Sequence, residues 1–256
     1  MSRRLHLRLG IAALLLATGC AGGASPAAPS AAPQSGPGLD RLDEAIDLVN
    51  TGRAASLAHV AAAITGLERR DDLDDLAAAG DRPAATAADP AADATYAKVG
   101  VALRDLGGSL ESFQRGLGDL AAAAQSPELD TAQRRLIGTA IAHGRAEITA
   151  TRTLATAVRS GIAAYDTLGA RIDEWLRRAR AGWYRNREES ASAYVVLVGD
   201  LRERLEAVRG DVARADSART TAVSATTRSF ALARRALAPL TGRPTEVDVP
   251  PSELAG

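Results

Sequence analysis

The chain has 256 residues, 31 Lys and Arg against 31 Asp and Glu, 3% aromatic residues and a single cysteine. One cysteine excludes an intrachain disulfide, a Cys-based zinc site and a CxxC redox pair. The first nineteen residues contain Arg3, Arg4 and Arg8 and no acid, so without them 28 bases face 31 acids; this balance excludes the dominant basic face of a nucleic-acid binder.

The chain opens with "MSRRLHLRLG", a positive n-region, followed by "IAALLLA", an apolar segment of the length of a secretory signal. A membrane span needs roughly 20 apolar residues, so this segment is too short to be one. The stretch "LATGC" (16–20) resembles the lipobox of bacterial lipoproteins, with small residues at Thr18 and Gly19 and Ala17 where that family most often has Leu. The resemblance implies cleavage between Gly19 and Cys20 and a diacylglycerol on the Cys20 thiol. It implies a signal peptide at 1–19 and a mature protein anchored to the outer face of the bacterial cytoplasmic membrane. Two acyl chains on one residue give a stable anchor where a single chain gives only reversible binding. Cleavage after Ala24, giving a secreted protein, and an ordinary buried cysteine are the alternatives. Thirty of the 31 basic residues are Arg, with Lys98 the one lysine; with the abundant Ala and Gly, this composition resembles that of GC-rich bacteria such as actinobacteria.

Residues 20–38 hold Cys20 and then Ala, Gly, Ser and Pro with one Gln, which predicts a flexible tether. The tail at 241–256, with three prolines, is expected to be disordered. Between them, residues 39–240 are predicted to fold as a helical bundle. The first helix uses Leu39, Leu42, Ile46 and Val49, then Leu57, Val60, Ile64 and Leu67, with "NTG" (50–52) as a break. The segment "RPAATAADPAAD" (82–93) reads as a loose connection. After it Tyr96, Val99, Leu103, Leu106, Leu110, Phe113, Leu117, Leu120 and Ala124 step by 3 and 4, an apolar stripe on one helix face.

The third helix is predicted to start at "SPELD", with Ser126 as N-cap and Pro127 in first position. Its stripe runs from Ile137 through Gly144, Ile148, Thr151, Val158, Tyr165 and Leu176 to Trp183. The fourth runs from Tyr194 through Leu205 to Ala215, loosens in "RTTAVSATT" as a stutter, and resumes at Phe230 and Leu237. Sustained 3.5-residue repeats without period-two alternation predict an all-α fold. The architecture expected is an elongated antiparallel bundle of three to four long helices with coiled-coil-like heptad packing. Lengths of about 55, 85 and 75 Å for the second, third and fourth helices suggest a third/fourth hairpin that projects, with its tip near residue 186.

A di-iron bundle needs Glu-x-x-His pairs, but Ser56 and Ala140 stand three residues before His59 and His143. His143 and Glu147 read as a surface pair on a solvated face. The acidic cluster "RRDDLDDLAAAGD" (69–81) lacks the oxygen spacing of a calcium loop and reads as a solvated linker. No GxSxG or P-loop pattern occurs, and a seam rich in Ala, Gly and Thr leaves little room for a small-molecule pocket. The expectation is no enzyme, no metal and no cofactor.

One segment departs from the uniform surface. "RIDEWLRRARAGWYRNR" (171–187) holds both tryptophans and six arginines against two acids. Trp and Arg are over-represented at binding hot spots. Trp175, Arg177, Arg178, Arg180, Trp183, Tyr184, Arg185 and Arg187 are therefore the candidate interaction tip, suited to an anionic lipid or wall surface or an acidic envelope protein. The competing reading has Trp175 and Trp183 filling the wide end of the bundle beneath solvated arginines. The function expected is interaction at the cell envelope. A ligand-binding lipoprotein accessory to transport is the alternative, and an envelope enzyme is less favoured.

Overall fold

Pro37 lacks a backbone donor, which costs a helix nothing in its first turn, and there the first helix starts. The computed structural model describes residues 37–78 and 82–241. The expected signal peptide, Cys20, all but the last two residues of the tether, and the tail after Thr241 lie outside the described residues. Among those described the chain is all helical, without a strand: α1 is Pro37–Ala78, α2 Arg82–Ala123, α3 Thr131–Arg180 and α4 Arg187–Thr241.

The helices pack together through the stripes visible in the sequence. In α2, Val99, Leu103, Leu106, Leu110, Phe113, Leu117 and Leu120 are all buried. They join Leu42, Val49, Val60 and Ile64 of α1, Ile137, Ile148, Leu154 and Val158 of α3, and Phe230 and Leu237 of α4 in one core. Burying an aliphatic side chain of this size contributes about 1.5–3 kcal/mol, so these stripes are the main source of stability.

Specific contacts fix the directions of the helices. Gly52 lies against Phe113 and Gly116 against Val49, so α1 and α2 run antiparallel. Gln133 reaches the Ala236 carbonyl at 3.0 Å and Trp175 the Ser190 carbonyl at 3.1 Å, so α3 and α4 also run antiparallel. Arg53 meets Glu147 and Leu67 meets Gly161, which makes α1 and α3 parallel.

Four expectations need correction. "NTG" is no break, because α1 runs through it; a Cβ on Gly52 would sit 2.6 Å from the Phe113 nitrogen, so the glycine serves close helix approach. The acidic stretch from Arg69 to Ala78 is no linker but the end of α1. Residues 82–93 are helical too: Pro83 falls in the first turn of α2, and the six alanines of this stretch have the highest helix propensity. α1 and α2 are therefore 42 residues each, longer than the stripes alone indicated.

The fourth correction concerns α3. Its N-cap is Asp130, which accepts from the Gln133 backbone at 2.7 Å while Gln133 Oε1 accepts from the Asp130 N–H at 2.9 Å. This capping box satisfies two donors at once and outcompetes the single Ser126 side chain. Residues 124–130 form turns instead. With its late start and an end at Arg180, α3 spans 50 residues and α4 spans 55, reversing their expected order of length.

Candidate functional site

The end of α3 shapes the Trp/Arg segment. Ala181 is the C-cap, and Gly182 follows with φ of 70°, a conformation that L side chains avoid. The Trp183 N–H donates to the Arg178 carbonyl and the Gly182 N–H to the Ala179 carbonyl, a Schellman closure of the helix. That closure turns Trp183 out of the helix. It is 70% exposed, so the expectation that it continues the seam and fills the wide end fails.

Trp175 behaves in the other way. It is partly buried, its Nε1 donates to the Ser190 carbonyl, and its ring lies 4.6 Å from that of Tyr194, centroid to centroid. It holds α3 to α4 just below the turn. The two tryptophans thus have separate tasks: one packs and one is displayed.

The arginines divide similarly. Arg177 and Arg178 both pair with Glu174 one turn earlier, and three basic residues in the last turn complement the helix dipole. The Arg178 guanidinium also lies 5.4 Å from the centroid of the Trp183 ring, within the range of a cation–π contact. This pairing follows from the turn, which brings the residue after the glycine back onto the last helical turn. Arg185 pairs with Glu189, whose carboxylate also accepts from the Arg185 backbone, while Asn186 Oδ1 caps the Glu189 N–H at 2.8 Å. Arg180 and Arg187 are exposed and Tyr184 is half-buried. The eight sequence-predicted tip residues therefore gather around one turn, with Trp175 beneath and Trp183 outside.

A second polar constellation was misread in the sequence. Glu147, expected on a solvated face with His143, is 1% exposed. Its partner is Arg53 of α1, whose Nε donates to both carboxylate oxygens at 2.9 Å. Arg53 Nη2 continues to the Val223 carbonyl at 3.0 Å and to Thr227 Oγ1 at 2.8 Å, both on α4. One guanidinium thus ties three helices. Within the stutter "RTTAVSATT", α4 presents the Val223 carbonyl and Thr227 Oγ1 to Arg53, while Thr226 bonds its own Ala222 carbonyl. A sequence signal did exist, since Glu147 adjoins Ile148 and stands three residues after Gly144, at the edge of the seam. His143 Nδ1, close by in sequence, is buried and has no hydrogen-bond partner among the described residues.

Between α3 and α4, Ala163, Ala164, Thr167, Arg204 and Leu205 line a hollow of about 220 Å³, smaller than the 300–1,000 Å³ typical of ligand pockets. Among the described residues no group of three or more His, Cys, Asp or Glu is placed to hold a metal ion, and no helix is long and apolar enough to cross a membrane. Comparison of the chain with protein-family models, with curated proteins and with solved structures gives no match.

Proposed function

We propose that this is an exported, lipid-anchored protein of the bacterial envelope that acts by presenting the turn at residues 181–187 to an anionic partner. The four helices form an antiparallel bundle with heptad-spaced seams, tethered through residues 21–36 to a lipid on Cys20. The lipobox resemblance of "LATGC" supports the anchor, and the display of Trp183 carries the interaction reading. An exposed tryptophan with a guanidinium on its ring, held out by a glycine-dependent turn, is poorly explained by folding alone. Its burial would have been the cheaper arrangement.

The register of the helices gives the turn a direction. Arg53 lies level with Glu147 and Leu67 with Gly161, so Pro37, where the tether ends, is level with Thr131 at the start of α3. The turn lies at the other end of a 50-residue helix, about 75 Å away. A protein held at Pro37 would offer Trp183 to something beyond the membrane that anchors it. An acidic envelope protein or an anionic wall polymer meets that description.

Two measurements test the two halves separately. A fatty-acid analogue should label the wild type and leave Cys20→Ser unlabelled; equal labelling, or none on the wild type, defeats the anchor. Replacing both Trp183 and Arg185 with Ala should leave helicity and melting intact while abolishing capture of the partner by crosslinking in the native envelope. Unchanged capture defeats the role of the turn.

A further inference from the structure

Among the described residues, Trp183 is the only large apolar side chain that the turn exposes. Its nearest exposed counterparts on α4, Tyr194, Val195 and Val196, begin seven residues after Arg187, about 10 Å back along the helix. The Arg178 guanidinium stands over the indole, 5.4 Å from its centroid, so one face is taken and the ring is held in place. The residue is 70% exposed, which leaves the opposite face to a ligand. Charge around it is in excess. From Glu174 to Glu189 five arginines face three glutamates. Arg177 and Arg178 share Glu174, and Arg185 pairs with Glu189. Arg180 and Arg187 are exposed and pair with no carboxylate among the described residues.

We propose that the turn binds an anionic glycan, a polymer whose sugar rings carry phosphate or carboxylate groups. This rests on the reading of the turn as an interaction site and names its partner. The C–H bonds on one face of a pyranose carry slight positive charge and meet the negative face of an indole. Guanidinium forks match the oxygens of phosphate and carboxylate. A glycan repeats ring and anion, so one strand offers a ring to Trp183 and anions to Arg180 and Arg187, three residues before it and four after. Arg178 holds the indole beforehand, so less side-chain freedom is lost on binding. Other anionic partners need more apolar surface than the turn has. Attachment to a membrane surface grows with the apolar area buried in it, and one side chain supplies little. A stable protein contact takes about 800 Å² from each partner around a desolvated centre, whereas a tryptophan buries about 150–250 Å².

The test is titration calorimetry on the full chain carrying Cys20→Ser, so that no lipid contributes. Polygalacturonate bears a carboxylate on each ring, and phosphomannan bears phosphate on its rings. At least one should bind, and the tighter of the two identifies the anion. Dextran has rings without charge and polyphosphate has charge without rings; these and phosphatidylglycerol vesicles should each bind about tenfold more weakly or not at all. Trp183→Ala should weaken glycan binding about tenfold, and Trp183→Tyr should restore most of it by returning a flat ring. Arg180→Gln with Arg187→Gln should remove most of the salt dependence, with helicity unchanged. Polyphosphate or vesicles binding as tightly as the glycans, or a glycan affinity unmoved by Trp183→Ala, overturns the proposal. Binding of neither glycan overturns it too. If the double Trp183 and Arg185 variant still loses its partner in the native envelope, the turn then serves a partner of another class, and the interaction reading survives without the glycan.

Discussion

Glu147 is nearly sealed from solvent, while the Arg53 side chain keeps 17% exposure. Taking such a pair out of water consumes most of its mutual attraction, so its main contribution is to decide which helices meet and in what register. Removing one partner is a different matter, because it leaves a buried charge without compensation. Glu147→Ala is expected to lower stability by about 3 kcal/mol in chemical denaturation, and the joint change Arg53→Met with Glu147→Leu to recover most of that loss. Recovery would fail if Arg53 served chiefly through Val223 and Thr227 rather than through Glu147. Thr151, Thr226 and Ser229 are also buried, so this level of the core is more polar than the levels above and below it.

For an element, sequence signals act through competition. Glycine illustrates this, since the same residue weakens a helix by about 1 kcal/mol relative to Ala wherever it has no contact to make. Gly107 and Gly108 of α2 face open space, while Gly52 faces the backbone of Phe113. Gly107→Ala should therefore raise the melting temperature, by about 0.5–1 kcal/mol of stability. Gly52→Ala should lower it by about 2 kcal/mol, the scale of forcing an extra carbon into a packed contact. The opposite signs are the test; two stabilising substitutions would mean α1 and α2 separate easily. At the start of α3, Asp130→Ala removes one half of the capping box and should cost about 1 kcal/mol. The loss should be accompanied by faster amide exchange confined to the first turn after Thr131.

Over the molecule as a whole, burial is uneven along α3 and α4. The last buried residue described in α3 is Tyr165 and the first in α4 is Leu205, and among the residues from 166 to 204 whose burial is described none is buried. Local opening free energy follows buried apolar contact, so this end should open well below the global unfolding free energy. Hydrogen exchange is expected to show weaker protection between 169 and 200 than between 137 and 158 or between 223 and 237. Equal protection in the three segments would mean that the Trp175–Tyr194 contact holds this end as firmly as the core. The two tryptophans both lie there, so their fluorescence should change at lower denaturant than the helix signal.

The all-α class and the inward face of α2 were legible in the residues, because the large apolar side chains there, Val101 apart, fall on one stripe and burial of that stripe dominates the energy. The clustering of Trp and Arg near one turn was legible for a simpler reason: those residues are neighbours in the chain. Partners distant in sequence were not. The pairing of Arg53 with Glu147, 94 residues apart, depends on which helices are adjacent and in what register, and no local pattern contains that information. The fates of Trp175 and Trp183 were equally hidden. Trp183 continues the seam by spacing and Trp175 flanks it, but only the closure at Gly182 ends α3 in time to turn Trp183 outward. Local periodicity fixes which side of a helix seeks the core; tertiary packing decides where that core stops, and with it which residues remain to be met by something else.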